Sequence, residues 1–320
     1  MCTAISLKTT DHYFGRNLDL NYSFNEAVTV MPRHFPLHFR CTSTIHQHYS
    51  MIGMATIDSN YPLFYDAVNE YGLCIAALNF PDNAKYWPTS DSAVNIAPYE
   101  VIPWLLCQCK NVKEAKDILS NARIVDIPYS EQYSLTPLHW IISDASSSVV
   151  VEQLNDKLKI HDNPIGVLTN NPPFPFHSEN LRQYIHLSSD EPTASWILSN
   201  PTSNGTGAIG LPGDASSISR FIRAAFNKQN ASFNDSSSDS IIQFFHILQS
   251  VQQIKGTVRS NGQEHFTIYS SCCNATKGHY YYTSYENSQI HCVDMHREDL
   301  NEKTLFFYPI CRQTNFSFRN

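Results

Sequence analysis

The stretch Leu73-Cys74-Ile75-Ala76-Ala77-Leu78 constrains this chain most. It lies between turn-prone Asn69-Glu70-Tyr71-Gly72 and Asn79-Phe80-Pro81, and it is too short for an ordinary helix. A strand with no polar residue at every second position has no face to turn to water. It must be central and covered on both sides. The rest of the chain offers the covers. Upstream, residues 2–7 alternate polar and apolar, Asp11-His12 marks a turn, and residues 13–18 return as a second strand. Further strands are expected at 27–31, 51–55 and 63–67. A polar loop over 82–97 leads into two helices. The first starts near Pro98, turns Val101, Trp104 and Leu105 to one side, and is bent or delayed by Pro103. The second opens on the capping box Asn111-x-x-Glu114 and lines up Val112, Ala115, Ile118 and Leu119.

Strands resume at 138–143, 148–152, 158–160 and 166–168. A long surface excursion is expected over 199–217, a helix over 218–226 capped by Ser216 or Ser217, a mobile polar loop over 228–240, and a helix over 240–251. The chain closes in strands at 265–270, 279–283 and 289–293. Strands and helices in this alternating order predict an α+β protein of packed layers, with residues 1–320 as one domain.

Composition narrows the classes of partner. Of the 320 residues, 42% are hydrophobic and 16% charged, which is globular usage. A net charge of −7 argues against nucleic acid, which selects a basic face. Nothing approaches the roughly 18 apolar residues of a membrane span, and no signal peptide is visible. Nine cysteines are an odd number in a long chain, which favours reduced thiols and a cytoplasmic location. Cys107-x-Cys109, Cys272-Cys273 and His46-x-His48 lack metal-site spacing, and no phosphate or dinucleotide loop occurs, so no metal or organic cofactor is expected.

The N-terminus carries the strongest chemical signal. With Met1 removed, Cys2 holds a thiol and a free α-amine on adjacent carbons. The thiol is nucleophilic only as thiolate. The amine has an ordinary pKa of roughly 7.7–8.0, so it can take a proton and give it back. The expected hairpin returns Arg16 and Asp19 beside residue 2. A cation about 4 Å away is worth roughly 4 kcal/mol at an effective dielectric of 20, enough to favour thiolate strongly. Taken alone, these residues favour a plain first strand with a buried cysteine, because a Cys after Met is not specific.

The ordered motifs separate the two. Met-Cys-Thr-Ala-Ile at the start, Tyr13-Phe-Gly-Arg-Asn-Leu-Asp19, Leu78-Asn79-Phe80-Pro81, Leu168-Thr169-Asn170-Asn171-Pro172 and Gly210-Leu-Pro-Gly-Asp214 to Arg220-Phe221 resemble the choloylglycine hydrolase family. That family includes bile salt hydrolases and penicillin V acylases, and it belongs to the N-terminal nucleophile hydrolases. The resemblance spans nearly the whole chain and implies a four-layer αββα sandwich. It also implies that Cys2, Arg16, Asp19, Asn79, Asn170 and Arg220 form the catalytic set, with Asn171 and Arg223 as the neighbours most easily confused with Asn170 and Arg220. Asn79, where penicillin V acylases carry Tyr, points to conjugated bile salts as substrates. Penicillin V acylase activity and a catalytically silent steroid-binding relative are the alternatives. Residues 61–64 and 129–135 are candidate walls for an apolar cleft, and equally ordinary core. Family members are usually homotetramers.

Overall fold

The computed structural model describes residues 1–155, 157–192 and 204–320. The chain opens with β1 (Cys2–Lys8) and β2 (His12–Leu20), then β3 (Ala27–Met31), β4 (Met51–Asp58), β5 (Tyr61–Asn69) and β6 (Cys74–Asn79). A short β7 (Val94–Ile96) precedes α1 (Val101–Leu106), α2 (Val112–Leu119) and β8 (Ala122–Ile124). Four strands follow: β9 (Leu138–Ser143), β10 (Ser148–Gln153), β11 (Leu158–Asp162) and β12 (Val167–Leu168). Helices α3 (Phe174–Asn180), α4 (Ser217–Asn230) and α5 (Ser237–Gln249) come next. The chain ends with β13 (Val258–Ser260), β14 (Gln263–Asn274), β15 (His279–Ser284), β16 (His291–Asp294) and β17 (Phe306–Pro309).

Two antiparallel sheets carry the architecture. One has the order β12-β1-β2-β14-β15-β16, with β13 paired to β14; the other runs β11-β10-β9-β6-β5-β4-β3-β17. The apolar run in β6 sits at the middle of the second sheet. Cys74, Ala76 and Leu78 pack into the layer between the sheets, while Ile75 packs outward against α1 and α2. Both faces are covered, as that run demands. The outer cover is Val101, Ile102, Trp104 and Leu105 from α1 with Val112, Ala115 and Leu119 from α2. On the far side, Phe221 and Ile222 of α4 and Phe244, Phe245 and Leu248 of α5 cover the β1–β2–β14 sheet. The four layers are helices, sheet, sheet, helices.

Local sequence explains most boundaries. Asn111 Oδ1 accepts the Glu114 N–H at 3.0 Å, and Ser216 Oγ accepts that of Ser219 at 3.2 Å, so both caps form. Pro103 is accommodated because a 3₁₀ turn over Pro98–Glu100 comes first and the α-helix begins only at Val101.

Several expectations need correction. The polar loop over 82–97 contains β7, which pairs in parallel with β8. The loop over 228–240 is shorter than expected, because α4 runs on to Asn230 and Ser236 caps α5, accepting the Asp239 N–H at 3.0 Å. Polar residues there are the solvated faces of helices. Helix α3 falls in a stretch for which no element is expected from the sequence; its Pro175 sits in the first helical turn, where a missing N–H costs no hydrogen bond. Strand β17 was also missed; it closes the edge beside β3. Residues 199–203 of the expected excursion lie outside the described residues.

Candidate active site

Strand periodicity places the site. The β1–β2 register pairs Cys2 with Leu18 and Ala4 with Arg16, and paired residues share a face. Cys2 and Arg16 therefore both look toward the second sheet. Arg16 is fully buried there, and its Nη1 donates to the carbonyls of Tyr65 at 3.0 Å and Ala77 at 2.5 Å. Its Nη2 has no partner. Burial works against the guanidinium charge, but the Cys2 sulfur, Tyr269, Asp66 and Asp19 more than offset it, and the Arg16 pKa is raised. The Asp66 carboxylate accepts from the Tyr269 hydroxyl at 2.7 Å and the Tyr280 hydroxyl at 2.6 Å. Burial pushes its pKa up despite Arg16 and the two tyrosines.

Asp19 returns beside residue 2 on the opposite face, toward α4 and α5. An odd separation from Arg16 requires this, because side chains alternate along a strand. Its Oδ1 accepts from the Thr267 hydroxyl at 2.6 Å, while its buried Oδ2 has no partner. The Met1 nitrogen donates to the Asp19 backbone carbonyl at 2.7 Å.

Asn170, just beyond β12, joins the other elements. Its Oδ1 accepts from the Cys2 nitrogen at 2.9 Å and from Arg220 Nη2 at 2.7 Å, and its Nδ2 donates to the Asn79 carbonyl at 2.7 Å. Asn171 turns away and donates to the Pro81 carbonyl at 2.7 Å. The two neighbours are thus separated by geometry. Arg220, buried on α4, also donates to the Cys2 carbonyl, to Thr3 Oγ1 at 2.7 Å and to the Ala215 carbonyl at 3.0 Å. Burial lowers its pKa, with Asp19 and Cys2 opposing. Arg223 instead donates to the carbonyls of Ser250 at 2.9 Å and Pro212 at 2.8 Å. All six expected residues converge around the first strand, and neither look-alike does.

A cavity of about 320 Å³ opens at this point. Cys2, Arg16 and Asn79 line it, and its walls are largely apolar or aromatic. Leu63, Phe64, Tyr129, Tyr133 and Leu135 line it, as proposed from the sequence. Tyr61 lies behind, its ring 5.7 Å from that of Tyr129 and 5.9 Å from that of Tyr99. Leu20, Phe24, Tyr99 and Ile127 were not foreseen as lining. Leu20 was readable, since it continues the face of Arg16 and Leu18 on β2. Among the described residues no cluster of three or more His, Cys, Asp or Glu is placed to hold a metal, and no helix is long and apolar enough to cross a membrane. All nine cysteines are free thiols.

Residues 2–308 match the linear amide C–N hydrolases of the choloylglycine hydrolase family. The chain belongs to the choloylglycine hydrolase family. Within it, the chain is 47% identical over 320 residues to a bile salt hydrolase/transferase of Lactiplantibacillus plantarum, covering 99% of each chain. It is 42% identical to the bile salt hydrolase/transferase of Clostridium perfringens, covering 96% of each. The C2A mutant of the conjugated bile acid hydrolase from Clostridium perfringens superposes over 100% of both chains, with a TM-score of 0.93 at 40% identity. Penicillin V acylase from Agrobacterium tumefaciens shares the fold, with a TM-score of 0.76 at 19% identity over 96% of this chain and 90% of that one. The fold expected of a choloylglycine hydrolase, with two sheets between helical layers, is the fold observed.

Proposed function

We propose that this chain hydrolyses the amide bond of glycine- or taurine-conjugated bile salts, with Cys2 as nucleophile once Met1 is removed. One observation carries the reading: Cys2, Arg16 and Asn79 line a largely apolar cavity of about 320 Å³, which suits a steroid with its conjugated amide at the cysteine. The relatives named above as acting on bile salts support the same choice.

The chemistry follows from the donors and acceptors present. With Met1 attached, the Cys2 nitrogen is a peptide nitrogen and takes no proton. Release of Met1 makes it an α-amine already bonded to Asn170 Oδ1 and adjacent to Asp19, whose free carboxylate oxygen can then accept from it. The amine takes the thiol proton, and Arg16 stabilises the resulting thiolate through charge. The sulfur attacks the amide carbon. Asn170 Nδ2 retains one N–H beyond its bond to Asn79, and with Asn79 it supplies donors for the oxyanion. Collapse breaks the C–N bond, and the ammonium of Cys2 gives its proton to the departing glycine or taurine nitrogen. Water, deprotonated by the same amine, cleaves the thioester and frees the bile acid. Arg220 holds the Cys2 carbonyl and Asn170 in register. No step calls for a metal or an organic cofactor. The same reading takes the enzyme to be cytoplasmic and homotetrameric, the latter testable by light scattering.

The decisive experiment is a substrate panel on wild type and Cys2→Ala, with intact mass recorded on the same samples. Release of glycine or taurine by wild type, abolished in C2A, is expected. Undiminished release in C2A refutes the reading. A higher kcat/KM for penicillin V than for glycocholate-type substrates would make the chain an acylase instead. A retained Met1 with no turnover would make it a silent binder.

A further inference from the structure

Beneath the site lies a buried polar network that the proposed chemistry does not use. Asn170 is flanked by two backbone carbonyls, and a histidine ring meets each. His139 Nε2, from β9, lies 3.0 Å from the Thr169 oxygen. His177 Nε2, from α3, lies 3.0 Å from the Asn170 oxygen. A carbonyl only accepts, so both Nε2 atoms carry hydrogen. Behind His139, Nδ1 is 3.1 Å from Glu152 Oε1, and the same carboxyl oxygen accepts the Phe174 N–H at 2.9 Å. A proton therefore lies between ring and carboxyl. His139, Glu152, Thr169 and His177 are all fully buried.

We propose that His139, oriented by Glu152, and His177 are positioning residues that fix Asn170 over Cys2 by gripping the carbonyl on each side of its Cα. This rests on the hydrolase reading above and extends it. The remaining polar atoms of the segment are held as well: Asn170 N–H donates to Ser217 Oγ at 2.8 Å, and Thr169 Oγ1 donates to the Ser217 carbonyl at 3.0 Å. The clamp also reaches Asn79. Phe80, its chain neighbour, stacks on the His139 ring at 4.2 Å with planes 7° apart. The Glu152 carboxyl thus ties β10 to β9 and to the start of α3, the three elements that bracket Asn170. A buried carboxyl–imidazole pair adds little net stability over an apolar filling of the same volume. What it adds here is direction, because a ring N–H fixes the carbonyl it meets to within a few tenths of an ångström, and an oxyanion donor displaced by about 1 Å loses roughly 100-fold in rate. His177 keeps its hydrogen on Nε2 for a simple reason. Its Nδ1 is buried without a partner, and burial, chiefly, holds its pKa down at about 4, so the ring is neutral.

The test is a double-mutant cycle on the whole enzyme, with glycocholate as substrate and the unfolding midpoint recorded for every variant. His139→Gln should lower kcat roughly 10- to 100-fold while KM stays within about twofold. On an Asn170→Ala background the same change should cost nothing further, since the residue it positions is gone. Glu152→Gln and His177→Gln should each repeat that pattern, so that one variant failing to fold leaves the others to decide. A kcat unchanged in any folded variant, or an equal drop with and without Asn170, overturns the proposal. The two readings fail separately. An inactive wild type sinks the hydrolase reading, whereas a flat His139→Gln result on an enzyme that C2A silences sinks only the clamp.

Discussion

Two buried histidines should make this fold sensitive to mild acid. His12 on β2 has its Nε2 3.0 Å from Ser6 Oγ and 3.3 Å from Ser143 Oγ, while Nδ1 faces the Cys74 sulfur at 4.0 Å. Burial, chiefly, lowers its pKa from 6.5 to about 4, with Asp144 opposing and Lys8 and Lys228 assisting. His177, against Phe221 and the Asn170 carbonyl, is lowered to about 4 by burial as well. In the unfolded chain each ring takes up a proton as pH falls through about 6.5; in the fold it resists until about 4. Over that window the unfolded state binds more protons, so stability falls as pH falls. Each ring contributes nothing at pH 7.5 and costs about 2 kcal/mol by pH 5, about 4 kcal/mol for the pair, from the linkage relation at about 1.4 kcal/mol per pKa unit. That is a large share of a typical total of roughly 5–15 kcal/mol. Depressed carboxylates such as Asp214, held at about 2 by Ser216 and Ser219, act only at lower pH. Asp66 and Glu100, raised by burial, work in the opposite sense. Urea unfolding at pH 7.5, 6.5, 5.5 and about 5 measures the slope. His12→Gln and His177→Gln should each remove about half of the loss, whatever they do to absolute stability. A wild-type loss below about 1 kcal/mol, or slopes unchanged in both variants, refutes the argument.

Three other outcomes are expected. Asn170→Ala should lower kcat on a conjugated bile salt roughly 100- to 1000-fold, the usual consequence of losing one oxyanion donor, whereas Asn171→Ala, which loses only its bond to Pro81, should change kcat less than about tenfold; steady-state kinetics separate them. Gly15→Ala should abolish soluble expression or sharply lower the melting temperature, because a Cβ there runs into the Ser271 carbonyl of the neighbouring strand β14. Tyr129→Ala should raise KM roughly tenfold with kcat nearly kept, since this ring packs against Tyr99 at 5.2 Å and Tyr133 at 5.7 Å in the cavity wall, and one buried aromatic is worth about 1–3 kcal/mol of ligand contact.

How far the chain could be read from its residues depended on the range of the interaction. Local rules worked where the deciding partner was a few residues away: the β1–β2 hairpin, the Asn111 and Ser216 caps, and the doubly covered run in β6. They worked for Arg16 and Asp19 too, although alternation along one strand already implied that the two charges lie on opposite faces, and only the sheet shows what each face meets. Asn170 and Asn171 are the same residue type side by side, and nothing local tells which one meets Cys2. They part company beyond the end of β12, where one side chain meets the Cys2 nitrogen and the other the Pro81 carbonyl. The His139–Glu152 pair was hidden by distance, since its contacts join four segments between residues 139 and 174. One trace of it was visible all the same. Glu152 directly follows the apolar run Val149-Val150-Val151 inside a buried strand, and an acid in such a place must find a proton, a cation or water. It found a ring whose other nitrogen faces the segment carrying Asn170, so an apparent flaw in a core strand is also the point from which the site is held.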